Sequence, residues 1–142
     1  MQTDIIARLT GRAAAIAQAH RPDLMEASRR NERAIITPDE PGGLSHDERR
    51  SLARRIALLN GDAGLAAYYA ESEPAIETGA RWTAILRHVD LVTTRPKDAT
   101  RADIDHLRDA GVSEPDIVRL SQVIAFVNYQ VRVIAGIRLI AA

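Results

Sequence analysis

The chain has 142 residues, of which 46% are hydrophobic and 27% charged, the size and balance of one globular domain. Its 19 Lys+Arg and 19 Asp+Glu cancel, so it lacks the basic footprint of a general nucleic-acid binder. It has no cysteine, which removes disulfides, thiolate metal sites and thiol catalysis together and fits a cytoplasmic protein.

Residues 2–18 carry Ile5, Ile6, Leu9, Ala13 and Ile16 at helical spacing, and Asp4, Arg8 and Arg12 interrupt any signal-peptide-like run. Pro22 suits the first turn of a second helix through Ile36. The stretch Thr37–Gly43 (TPDEPGG) is a loop. Ser45 with Glu48 makes a capping box and starts a helix with Leu52, Ile56 and Leu59 on one face. Asn60-Gly61 should stop or bend that helix, because each Gly costs about 1 kcal/mol relative to Ala. A shorter helix follows over about 62–72. Pro74 opens another that runs to about Leu91, and Thr93–Thr100 is a loop around Pro96. Thr100 with Asp103 caps a short helix that Gly111 ends. Ser113 caps the last and longest helix, with Pro115 in its first turn. Arg119, Arg132 and Arg138 interrupt its apolar run, which argues against a membrane span. The expected fold is all-α, about seven helices in a single domain over 1–142, with no convincing strand.

One repeat stands out at an offset of 68. The segment from Leu44 to Ala67 aligns with that from Val112 to Ala135, pairing Ser45 with Ser113, Leu52 with Leu120, Ala57 with Ala125, Asn60 with Asn128 and Ala67 with Ala135. This divides the domain into N-terminal helices (1–36), a first repeat (about 44–72) and a second (about 112–140).

The stretch GGLSHDERRSLARRIALLNGDAGLAAYY (residues 42–69) resembles the core helical hairpin of the AhpD-like family, which groups alkylhydroperoxidase D with carboxymuconolactone decarboxylase (CMD). The C-terminal half, from RHVDLVTTRPKDATRADIDHLRDAGVSEPDIVRL onward, looks closer still to a peroxidase-related CMD-domain branch. The resemblance covers roughly residues 20–140. It implies an AhpD-like helical fold with a repeated helix pair, and a homo-oligomer: a dimer, trimer or hexamer.

Peroxidase members carry a Glu, then Cys-x-x-Cys, then a His one turn further on. One thiol is activated as thiolate and the other resolves the sulfenic acid. Mapped here, the Glu position is Arg50, the cysteine positions are Asp62 and Leu65, and the His position is Tyr69. All four differ, so the thiol mechanism is absent. Glu48 does not substitute, because two residues turn it about 200° from Arg50.

The remaining candidates are polar. His88 beside Asp90 could serve general acid–base work in a cysteine-independent lyase or decarboxylase of CMD type, acting on a small carboxylate or lactone. Their i, i+2 spacing works against a local dyad, and the plainer reading is a last-turn His and a solvated Asp. In the last helix, Ser121, Gln122, Asn128, Tyr129 and Arg132 share a sector of about 120°, either a pocket or interface strip or an exposed face. Gln130 points away from that strip. Arg132 needs a carboxylate or water, with Asp90, Asp103 or another subunit as candidates. Arg87, Arg95 and Lys97 are candidate anion contacts or simply solvated, and Trp82 reads as a core or interface anchor. His20, His46 and His106 have no metal-ligand spacing, so no metal is expected, nor any cofactor. Expected partners are other copies of the chain and, on a third reading as an interaction protein, a cysteine-containing paralogue; neither nucleic acid nor membrane is expected.

Overall fold

A computed structural model describes residues 4–71 and 78–142, and among these there are helices and no strand. In chain order they are α1 (Ile5–Thr10), α2 (Arg12–His20), α3 (Pro22–Ile36), α4 (His46–Leu59), α5 (Ala63–Tyr69), α6 (Ala80–Thr94), a 3-10 turn (Pro96–Asp98), α7 (Arg101–Asp109) and α8 (Glu114–Ile140). The fold class read from the sequence is the fold observed.

The first predicted helix is two. Gly11 sits at φ 55°, a left-handed conformation that breaks the run between α1 and α2 and that a side chain would resist. Pro74 itself lies outside the described residues, but the helix expected to run from it to Leu91 begins only at Ala80, because Gly79 at φ 119° is its N-cap, and it runs past Leu91 to Thr94. α5 ends at Tyr69 rather than near 72. Pro96 forms a single 3-10 turn inside the expected loop.

α8 organises the molecule by packing against α1, α2, α3, α4, α6 and α7. Leu120, Val123, Ile124, Val127 and Ile134 are almost completely buried along it. Between Leu120 and Ile137 its only charged residue is Arg132, so the arginines interrupt it less than expected, and by length and composition it could cross a membrane. Its burial at the centre of the helical core accounts for that apolar character.

The offset-68 pairs carry matching bonds. Ser45 Oγ accepts from Glu48 N at 3.1 Å, and Ser113 Oγ from Asp116 N at 3.3 Å. Asn60 Nδ2 donates to Ile56 O and Asn128 Nδ2 to Ile124 O, both at 2.9 Å. The two asparagines also bond to each other, Asn60 Nδ2 to Asn128 Oδ1 at 3.0 Å. α4 and α8 therefore meet at equivalent positions.

The Thr37–Gly43 loop is held from three sides. Arg49, only 3% exposed, donates to the carbonyls of Leu44 (2.7 Å), Ile35 (2.7 Å) and Pro41 (2.8 Å). Asp116 accepts from Gly43 N at 3.1 Å and pairs with Arg119 at 2.8 Å. Buried Glu48 accepts from Ser45 N and pairs with Arg81 at 2.6 Å, joining the start of α6 to the loop. The loop in turn closes over the end of α3, which positions the site below.

Candidate functional site

The α4–α5 hairpin turns at Asn60-Gly61, where Gly61 adopts φ 74° and donates its N–H to Leu58 O. Asp62 is the N-cap of α5: its Oδ1 accepts from Leu65 N at 3.0 Å, and its Oδ2 lies 3.6 Å from Arg138 Nη1. Leu65 is fully buried in the core. These two positions, which the resemblance aligns with cysteines, hold a helix cap and a packing residue.

The other two positions face a cleft of about 240 Å³ between the end of α3, α4 and the end of α5. Arg50 and Tyr69 line it with Glu32, Arg33, Tyr68 and Glu71. Tyr68 donates its hydroxyl to Glu32 Oε1. Tyr69, 3% exposed, donates to the side-chain oxygen of buried Gln130 on α8 at 2.5 Å. Arg8 pairs with Glu71 at 2.7 Å and lies 5.6 Å from the Tyr68 ring centroid, capping one side by a cation–π contact. Arg33 and Arg50 are held only loosely, 3.9 Å from Glu26 and 3.7 Å from Asp47.

Burial sets the protonation of the cleft. Desolvation pushes the Glu32 carboxyl above its ordinary value, the hydrogen bond from Tyr68 opposes this, and the Asp4 charge adds to it. Tyr69 is pushed well above the usual phenol range, first by burial and then by Glu32 and Tyr68. At neutral pH Tyr69 is therefore a neutral donor. Among the described residues lining the cleft, Glu32 is the carboxyl whose proton affinity is raised by its surroundings, which suits a group that gives or takes a proton.

Sequence reasoning placed its acid–base candidate elsewhere. His88 is buried, its Nδ1 has no hydrogen-bond partner among the described residues, and burial pushes its imidazole below the ordinary value. Asp90 turns away to make a bidentate pair with Arg55, both contacts at 2.6 Å. A nearby depression is lined by Arg87, Asp90, Arg95 and Asp103, without His88. Its cations are paired, Arg87 with Asp103 at 3.3 Å and Arg95 with Asp98 at 3.5 Å.

The α8 strip is divided. Ser121 bonds back to Ile117 O at 2.9 Å and is exposed. Gln122 and Tyr129 border a shallow recess against α3, and Tyr129 reaches Ser28 at 2.7 Å. Asn128 meets Asn60. Arg132 is exposed, as the water alternative requires, and donates to Asn128 O at 3.1 Å and Oδ1 at 3.3 Å. Asp90 and Asp103 are both engaged elsewhere. Trp82 is 9% exposed and belongs to the core. No cluster of three or more metal-ligating side chains occurs among the described residues.

Glu32 was missed because α3 shows no motif. The available signal was two adjacent tyrosines at the end of α5, a place where buried hydroxyls need acceptors.

No family model matches the chain, and no curated protein matches it. Among solved structures, an uncharacterized peroxidase-related protein from Silicibacter sp. TM1040 superposes with a TM-score of 0.61 at 20% identity. The match covers 79% of this chain and 66% of that one, so it spans just under two thirds of that protein. At this identity the likeness establishes a shared fold.

Proposed function

We propose that this chain is an AhpD-like protein of the CMD type that does not perform thiol peroxidase chemistry and uses the α3–α4–α5 cleft to hold a small molecule. The observation that carries this reading is the convergence of Glu32, Arg33, Arg50, Tyr68 and Tyr69 on one cleft, in a chain without cysteine. Peroxide reduction by the family route needs a thiolate to attack oxygen and a second thiol to resolve the product. Neither a carboxylate cap at Asp62 nor an aliphatic Leu65 can do either. The cleft instead offers two loosely paired guanidiniums, two phenols and two carboxyls, of which Glu71 is paired with Arg8, a set suited to a small polar or anionic molecule.

The test has two arms. Metal-free protein with cumene hydroperoxide and dithiothreitol is expected to give turnover no faster than the reductant alone; robust turnover overturns the peroxidase half. Thermal-shift screening against small carboxylates and lactones is expected to find a stabilising ligand whose affinity falls about ten-fold in Arg50→Ala. A ligand indifferent to Arg50 and Tyr68 places binding elsewhere.

A second reading is a cysteine-independent lyase acting on a small carboxylate or lactone. The raised proton affinity of Glu32 beside the cleft supports it, with Glu32 in the acid–base role in place of His88. Turnover lost in Glu32→Gln but retained in His88→Leu is the expected pattern. Homo-oligomeric assembly belongs to the same proposal, and light scattering of the purified chain reads it directly.

A further inference from the structure

A second cavity lies on the other side of α3. It is an open groove of about 440 Å³ between α2, α3 and α8. Met25, Val133 and Ile137 floor it, and Ile16, Leu24 and Ile140 rise along its edges, 40%, 46% and 51% exposed. Among the described residues no acidic side chain lines it, while His20, Arg21 and Arg132 do. Arg21 is held by Asp23 at 3.0 Å. Arg132 has no ion pair among the described residues and makes only its two bonds to Asn128. At one end the groove is closed by the hydrogen bond between Ser28 and Tyr129.

Gly136 is the informative residue. It sits inside α8, where glycine costs about 1 kcal/mol relative to Ala. A Cβ there would meet nothing within 4 Å, so no neighbour in the chain requires the glycine. The glycine leaves that part of the groove without a side chain.

We propose that this groove binds a single-chain amphiphilic carboxylate, a free fatty acid of medium length, with its chain over Val133, Gly136 and Ile137 and its head group at Arg132. The volume falls in the range of small-molecule sites. A second copy of the chain fits less well. An isologous contact would bury the Arg132 of both copies in one apolar interface, with no acid among the described lining residues to pair with either. An apolar tail with one negative head meets both the lining and the charge.

The test is isothermal titration of the intact protein with decanoate and, as the uncharged probe, decan-1-ol, beside light scattering. Decanoate is expected to bind once per chain. Arg132→Gln should weaken decanoate about five-fold and leave decan-1-ol within about two-fold. Gly136→Leu should block both ligands. Leu24→Glu, a substitution at an exposed edge, should weaken decanoate selectively and keeps the test decisive if Gly136→Leu fails to fold. Absence of decanoate binding at millimolar concentration overturns the proposal, as does binding unchanged by Gly136→Leu and Leu24→Glu. An oligomer that Gly136→Leu dissociates would assign the groove to a second copy and also overturns it.

Discussion

Arg49 and His88 are the two buried basic residues whose surroundings differ most in how well they satisfy them. Arg49 gives its guanidinium to three carbonyls of the α3–α4 connection, and burial, followed by the nearby Arg119 charge, pushes its affinity for the proton down. Arg49→Met removes the donors and leaves those carbonyls poorly paired, so a loss of about 3 kcal/mol is expected in urea unfolding. A loss below about 1 kcal/mol would mean that water reaches the loop and replaces the side chain. His88 has the opposite problem, an unpartnered Nδ1 and a depressed pKa. Below the ordinary histidine value of 6.5 the unfolded chain takes up a proton that the folded chain resists. His88 therefore withdraws stability as the pH falls through and below that value. His88→Leu should gain melting temperature relative to the parent, and the gain should grow from pH 7 to pH 5. A pH-independent difference would show that the imidazole ionises freely in the fold. Neither role was visible in the sequence, because Arg49 is flanked by Arg50 and His88 by Arg87, and only tertiary burial separates each from its charged neighbour.

At the scale of elements, the joint at Asn60-Gly61 was legible and its occupant was not. A cap pattern and a glycine are local signals, and they located the ends of α4, α7 and the start of α8 correctly. They could not show that Asp62 would serve α5 as its N-cap, although a residue following Gly at a helix start is a natural place for one. Asp62→Ala should cost about 1 kcal/mol, with the loss expressed as faster exchange of the α5 amides. The Asn60–Asn128 contact gives a sharper test of how the two similar segments meet. Each asparagine already bonds its own helix at i−4, so the remaining cross-helix bond is the quantity a double-mutant cycle isolates. Asn60→Ala and Asn128→Ala should couple by about 0.5–1 kcal/mol. Strict additivity would reduce the bond to a chance approach at the surface. The same pair explains why the second segment continues as helix: α8 needs no turn there, since Tyr129 and Gln130 point to α3 and α5 while the helix axis runs on.

For the whole molecule, helical class and element order followed from periodicity and capping, which depend on neighbours a few residues apart. The cleft depended on α3 returning beside α5, so that Glu32 reaches Tyr68 across 36 positions of sequence, and no local pattern encodes that meeting. Surface balance is likewise a global property, and it carries the last prediction. The formal charge is zero and the isoelectric point about 6.9, so near neutral pH the molecules lack mutual repulsion. At the end of α8, Leu139 and Ile140 are 75% and 51% exposed, an apolar tip with little of the fold behind it. Solubility should therefore pass through a minimum near pH 7, governed by attraction between such tips. Leu139→Glu adds a charge where no packing is lost, so its effect on stability should stay within about 0.5 kcal/mol. It should raise solubility at pH 7 and shift the minimum to lower pH, as precipitation with ammonium sulfate across pH 5–9 would read. If the minimum stays at pH 7 and solubility is unchanged, the α8 tip is already covered in the assembled protein, and light scattering should then find a stable oligomer.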